Sequence, residues 1–314
     1  MPEQTSEPPT LSLIVPVFDE QESLAMLLDE ILTVATAQFF SIEVIFIDDG
    51  SRDGSWRLIR ELAATDVRVR GLRFRRNFGK AAALQAGFQA ARGCRIITLD
   101  ADLQDDPKEI PNFLRILDDG NDLVVGWKKV RHDPWHKVFP SHVFNGVVSF
   151  VTGVKLHDHN CGMKAYTAAL VKEIHLYGEM HRFVPILADA RGFRVAELVI
   201  HHRPRKFGRS KYGVRRFLRA SLDLLTVKFL TIYGRRPMHI FGAWSLGVGL
   251  ISLLAIAVGL FWFPAISSST LCALFGLALA VVMFLHGLQA EMIAFARPDN
   301  PFSIAERVGF EEIH

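Results

Sequence analysis

The sequence predicts an α/β protein, an open and mostly parallel sheet with helices on both faces, followed by a basic amphipathic helix and a two-helix membrane hairpin. Three observations carry this. From Leu11 to Val125, short apolar runs rich in β-branched residues alternate with stretches of helical periodicity. From Arg203 to Arg236, eleven Lys/Arg face one acid, Asp223, so this strip is +10 while the chain is +3 and the remainder −7. Directly after it come two uncharged runs of 24 residues, 240–263 and 267–290.

The alternation assigns strands to 11–17, 42–47, 69–74, 95–99 and 123–125. Helices fall at 22–37, 55–64, 80–91 and 108–118. Strand–helix alternation implies parallel pairing with both faces covered, and ligands of such sheets bind beyond the carboxyl ends of the strands. A content of 50% hydrophobic and 22% charged residues excludes a disordered chain. Three cysteines, Cys94, Cys161 and Cys272, are too few and too scattered for a disulfide framework or a four-cysteine zinc site, and fit a reducing compartment.

The membrane expectation rests on length and charge. At 1.5 Å per residue, a 24-residue helix is about 36 Å long, enough to cross a hydrocarbon core of about 30 Å with some tilt. Pro264 and Ser267 to Ser269 supply the turn. Residues 1–10 are polar and proline-rich without the apolar core of a signal peptide. Arg235, Arg236 and Arg297 flank the runs, and the positive-inside rule then puts both termini in the cytoplasm. Ahead of the hairpin, Leu218, Leu222, Leu225, Phe229 and Ile232 recur at steps of four and three, the apolar stripe of a helix lying among headgroups. The expected organisation is a disordered N-terminus at 1–10 and a cytoplasmic domain at 11–212. An interface helix at 213–236, transmembrane helices within 237–293 and a cytoplasmic tail at 294–314 complete it. Lipid is the nearer anion for the basic strip, and nucleic acid is not an expected partner.

Four consecutive strand ends carry polar clusters. They are Pro16 to Glu20, Asp48 to Ser51, Asn77 to Lys80, and Asp100 to Gln104. The pair Asp100 and Asp102 stands out. Residues two apart in extended backbone face the same way, so both carboxylates would address one point, with Gln104 following. Such oxygen donors suit Mg²⁺ or Mn²⁺ shared with a substrate phosphate. Rival motifs fail. Gly79-Lys80 lacks the spacing of a P-loop, and Gly247-Val248-Gly249 lacks the third glycine of a dinucleotide fingerprint. The His157 to Cys161 run has no second ligand pair at zinc-site spacing.

Taken in order, VPVFDE, FIDDGSRDGS, RNFGKAAALQAG, DADLQDDP, NCGMKAY and RKFGRSKYG resemble family 2 glycosyltransferases of the polyprenyl-phosphate type, from about Leu11 to Tyr212. Asp19 departs from the family's more usual Asn before Glu20. The Gln-x-x-Arg-Trp signature of processive polysaccharide synthases is absent from the sequence. The resemblance implies a GT-A-like nucleotide-binding fold. It implies that Pro16, Glu20, Asp48, Asp49 and Lys80, with Asp100, hold a UDP- or GDP-linked sugar. It places Mg²⁺ or Mn²⁺ on Asp100, Asp102 and Gln104. A polyprenyl phosphate would meet Lys128, Arg131, Lys137 and Ser141 on one side and Arg205, Ser210 and Lys211 on the other. Asp158, before the NCGMKAY segment, would be a catalytic base or the acid that orients a basic residue, and Asp102 would be the second catalytic acid. Transfer would invert the anomeric carbon at the inner face of a bacterial-type membrane, and self-association stays open. A nucleotidyltransferase and a non-catalytic scaffold are the two other classes that paired acids on such a fold allow.

Overall fold

The seven residues of β2 (Ile42–Asp48) are all buried, as a strand covered on both faces requires. In the computed structural model, which describes residues 9–129, 145–204 and 223–229, helical positions between 275 and 292, and the backbone of 304–308, β2 lies inside an eight-stranded sheet. Around it stand β1 (Leu11–Val17), β3 (Val69–Phe74), β4 (Arg95–Thr98), β5 (Leu123–Trp127), β6 (Lys164–Thr167), β7 (Val195–Val199) and β8 (Ile304–Val308), in the order β7-β5-β6-β4-β1-β2-β3-β8.

The helices are α1 (Gln21–Ala37), α2 (Ser55–Thr65), α3 (Lys80–Ala90), α4 (Ile110–Asp118), α5 over 145–152, α6 (Ala168–Glu173) and α7 (Val184–Asp189). Helix α4 is preceded by a short 3-10 turn, Pro107–Glu109, with Asp106 accepting from the Lys108 N–H at its start. Helix α3 is nearly all buried, and its small residues let it lie close on the sheet. At Gly87 a Cβ would stand 2.4 Å from Ile14 of β1. Phe46, Phe74, Phe113, Phe183 and Tyr166 are among the largest fully buried side chains.

The sheet is mostly parallel, as expected, and is made mixed by two reversed strands, β6 and β8. Strands β1, β2, β3 and β4 pair in parallel, and so do β5 and β7. The expectation of simple parallel succession fails at β5. Strand β6 inserts between β4 and β5 and runs antiparallel to both. The alternation rule assumes that each strand re-enters the sheet in the same sense, whereas β6, which follows α5 and the 153–163 segment, enters in the opposite one. The expected tail also contributes to the fold. Strand β8 pairs antiparallel with β3 and covers what would otherwise be an open edge.

The chain divides into two compact units. One comprises the residues to Leu224 together with those from Asn300, and the other runs from Leu225 to Asp299. In the second unit, Phe275, Val282 and Gln289 are helical, and Phe275 and Val282 are exposed. Among the described residues no helix is long and apolar enough to cross a membrane. Apart from those few positions the expected spans lie outside them, as does most of the interface helix at 213–236.

Candidate active site at the carboxyl rim

Strands β1 and β2 are joined at their carboxyl ends by a ladder of hydrogen bonds. Asp19, at φ 52°, accepts from the Arg52 N–H at 2.7 Å and donates its own N–H to Ser51 Oγ at 3.0 Å. The Glu20 N–H reaches Ser55 Oγ at 3.1 Å, and the Gln21 N–H reaches Asp53 at 3.2 Å. Asp53 also accepts from the Ser55 N–H at 2.9 Å, which serves the start of α2. Position 19 is thus a turn residue, a conformation that Asp shares with Asn.

Asp48 is wholly buried. It accepts from the Ser51 N–H at 2.9 Å and lies 3.4 Å from Arg73 Nε. Burial raises its carboxyl above the usual range despite those partners. Asp49 accepts from the N–H groups of Phe78 at 2.6 Å and Gly79 at 2.9 Å, so it ties β2 to the loop that starts α3. Burial, with Asp48 next to it, pushes its carboxyl up to about 6. Gly50, at φ +74°, is required by the same approach, because a Cβ there would lie 2.5 Å from the Arg76 carbonyl carbon.

Asp100 follows β4. Its Oδ1 receives the Lys80 ammonium, and its carboxylate lies flush on Gly162, where a Cβ would stand 2.3 Å from Oδ2. Thr98 Oγ1 donates to the Gly162 carbonyl at 2.8 Å and holds that turn in place. Burial would raise the Asp100 carboxyl, but the ammonium charges of Lys80, Lys128 and Lys164 hold it below its ordinary value. Lys164 is buried, its ammonium donates to the Cys161 carbonyl, and burial pushes it down to about 8.

The strand ends at Thr98, and residues 101 and 102, between Asp100 and Leu103, form a turn. Strand pleating therefore does not aim Asp100 and Asp102 together, as the extended-backbone argument expects. The turn sets the direction of Asp102, whose Oδ1 accepts from the Gln104 N–H at 3.2 Å. Gln104 Nε2 lies 3.4 Å from His202 Nε2, and the Arg203 N–H donates to the Gln104 carbonyl at 2.9 Å. Arg203 spans Glu30 and Asp106, at 2.7 and 2.6 Å. His202 is a member of the rim that the sequence reading does not find. A lone histidine carries no spacing signal, and only its bridge to Asp105 brings it there.

The other expected residues divide. Pro16 and Glu20 stand at the end of β1 and the start of α1. Lys128 follows β5, but its ammonium is 2.9 Å from Asp105, a carboxylate with no exposed side-chain surface. Burial opposes its charge, but Asp105, together with Cys161 and Asp100, more than offsets that, so its pKa is raised. Asp158 is buried, accepts from the Asn160 N–H at 3.1 Å, and its own N–H donates to Glu197 at 3.0 Å. It is an electrostatic neighbour of Lys164. Next to it, His157 stacks on Trp127 at 3.9 Å and meets Glu197 at 2.7 Å. His159 meets Ser149 at 3.0 Å and is pushed down to about 4 by burial. Arg131, Lys137, Ser141, Arg205, Ser210 and Lys211 lie outside the described residues.

The rim thus gathers acids, ammonium groups and an amide on one edge of the sheet. Carboxylate and amide oxygens on the 100–104 turn are the hard donors that Mg²⁺ or Mn²⁺ takes, and the donor set fits such an ion. Asp100 is engaged by Lys80 as it stands.

Residues 12–175 match the model of "Glycosyl transferase family 2". The dodecaprenyl-phosphate galacturonate synthase of Rhizobium johnstonii is 40% identical over 251 residues, covering 78% of this chain and 74% of that protein. The undecaprenyl-phosphate 4-deoxy-4-formamido-L-arabinose transferase of Aeromonas hydrophila is 35% identical over 289 residues, 90% of this chain and 88% of that protein. Among solved structures, glucosyl-3-phosphoglycerate synthase from Mycobacterium tuberculosis, in complex with Mn²⁺, UDP and glucosyl-3-phosphoglycerate, superposes with a TM-score of 0.55 at 17% identity. That match covers 71% of this chain and 80% of the other, and it is a likeness of fold.

Proposed function

The chain belongs to glycosyl transferase family 2, on its polyprenyl-phosphate branch, and from that premise we propose how its rim and its C-terminal segment divide the work of one sugar transfer. Family membership decides for a glycosyltransferase against the nucleotidyltransferase and scaffold readings. The donor is a nucleotide sugar whose base and ribose meet Pro16, Glu20, Asp48 and Asp49. Its diphosphate faces Lys80 and the turn of Asp100, Asp102 and Gln104. A divalent ion held by that turn would neutralise charge on the departing nucleoside diphosphate.

The acceptor phosphate is already a nucleophile. A phosphate monoester has a second pKa near 6 and is largely dianionic at pH 7. The protein's task is then to bring it in and orient it. Arg205, Ser210 and Lys211, at the head of the basic strip, are the residues proposed for this, with Arg131, Lys137 and Ser141 opposite. Lys128 is better suited to hold the Asp105 turn, given its ion pair. A single displacement by the phosphate inverts the anomeric carbon. Asp158, beside Lys164, orients that ammonium or takes a proton.

The hairpin of 240–263 and 267–290 anchors the enzyme with both ends on the cytoplasmic side. Phe275 and Val282, both at helical positions, are 73% and 46% exposed, which suits lipid. The observation that carries the whole reading is the rim itself, four strand ends presenting acids and ammonium groups together. The test is transfer of radiolabelled sugar from UDP- and GDP-linked donors to polyprenyl phosphates. The panel includes a hexuronic acid and a formamido pentose, the sugars in the relatives' names. No labelled lipid with any donor would sink it.

A further inference from the structure

The geometry points to Lys80 as the occupant that keeps a bare divalent ion off Asp100 until a nucleoside diphosphate draws it away, which makes metal binding conditional on donor binding. This rests on the donor and metal reading above and adds an order to it. Asp100 is held by an ammonium on one side and by close backbone packing on the other. Oδ1 takes the Lys80 ammonium, and Oδ2 faces the Gly162 backbone so closely that no Cβ fits between. An ion arriving alone must therefore displace an ammonium group.

The surroundings disfavour that exchange. Lys128 and Lys164 act on Asp100 together with Lys80. Both are buried or nearly so, and water screens them little. A bare dication would meet a neutralised carboxylate among like charges. A diphosphate reverses the balance, since its negative charge attracts both the ion and Lys80. The pair is also placed to exchange. The Lys80 and Asp100 side chains keep 27% and 31% of their surface exposed, unlike the sealed Arg70–Glu43 pair at the other end of the sheet. Lys80 is the first residue of α3, on a flexible stem after Gly79, so its ammonium can turn from carboxylate to phosphate without moving the helix.

The experiment measures Mn²⁺ binding by electron paramagnetic resonance, on the full-length protein in detergent, with no sugar transfer involved. Wild type, Lys80→Met and Lys80→Arg are titrated with Mn²⁺ alone, with Mn²⁺ plus UDP, and with Mn²⁺ plus GDP. Thermal melting confirms that each variant is folded, and Lys80→Gln substitutes for a methionine variant that is not. In wild type, Mn²⁺ alone should bind at least roughly tenfold more weakly than with the matching nucleotide, one charge-assisted contact being worth about that factor. Lys80→Met should tighten Mn²⁺ alone by a similar factor and reduce the synergy with nucleotide. Lys80→Arg, which keeps the charge, should behave as wild type. Mn²⁺ alone binding Lys80→Met no better than wild type, with nucleotide-dependent binding intact, would overturn the exchange while leaving the metal reading standing. No Mn²⁺ binding by any form, with either nucleotide, would overturn both.

Discussion

Two sets of buried acids sit at opposite ends of the same strands and are treated differently. At the amino end, Glu43 of β2 is 1% exposed and fully engaged. It receives Ser12 Oγ at 2.6 Å, Arg70 Nη1 at 2.6 Å, the Arg92 N–H at 2.7 Å and Arg92 Nε at 3.1 Å. Burial alone would raise its carboxyl, yet these partners hold it below its ordinary value. At the carboxyl end of the same strand, Asp49 has two backbone N–H groups and is pushed up to about 6. Asp100 shares a half-open ammonium. The amino end uses its charge to hold strands together, whereas the carboxyl end leaves Asp48 and Asp49 under-compensated and gives Asp100 an ammonium partner that is itself partly exposed.

The largest expected effect breaks the structural side. Glu43→Ala leaves the 5%-exposed Arg70 without its carboxylate, a loss of about 3–5 kcal/mol. Chemical denaturation should show it, while the fraction that stays folded keeps its kcat/KM. Unchanged stability would mean that the cluster is not what ties β1, β2 and the end of α3 together.

The second effect breaks the functional side. Asp102→Asn should lower kcat by on the order of a hundred- to a thousandfold, as removal of a charge-stabilising group typically does, with the melting temperature nearly unchanged. Near-normal turnover in EDTA, on protein verified free of metal, would remove the ion from the mechanism. Next in size, Lys211→Ala should raise the KM for polyprenyl phosphate roughly ten- to a hundredfold. Calorimetry with the donor alone should find its affinity hardly altered, and a large loss there would move Lys211 to the donor side.

The smallest effect sharpens the comparison through pH. The folded pKa of Asp49 is raised from 3.8 to about 6, so the folded state binds the extra proton. Its contribution is therefore fully favourable below pH 4 and lost as pH rises toward 6, by about 2–3 kcal/mol. Glu43 runs the other way. Its folded pKa is depressed, so its stabilisation is present above the unfolded value and fades as pH falls through the folded one. Asp49→Asn should flatten the melting-temperature profile between pH 4 and 6, and Glu43→Gln should flatten it below that window. The same flattening from both would erase the distinction between the two ends.

The rim was legible in the sequence because period and punctuation agree there. Each of β1 to β4 is an apolar run that stops at an acid or an Asn-Phe-Gly-Lys turn. The elements that escaped were those whose partners lie elsewhere in the chain. Strand β6 is four residues of Lys-Ala-Tyr-Thr, too short for a periodic signal and defined by β4 and β5 on either side. Strand β8, Ile-Ala-Glu-Arg-Val, has no local cue that its partner is β3, far upstream. The family resemblance marks Lys128 for the acceptor phosphate, but the buried Asp105 that meets its ammonium is not visible in the sequence. Asp102 was found for a reason that the turn at residues 101 and 102 replaces.

Strand β8 also has an accounting consequence of parity. The chain leaves the catalytic unit after Leu224 and is back in its sheet by Ile304, hydrogen-bonded to β3. A thread that starts and finishes on one side of a barrier has crossed it an even number of times. A bilayer crossing by the segment between them would have to be matched by a return, so the two-helix hairpin proposed above satisfies this connectivity where a single-pass anchor would not. A reporter fused after His314 should share the compartment of the active site, and a tail trimmed before Ile304 would lose that guarantee along with the strand that caps β3.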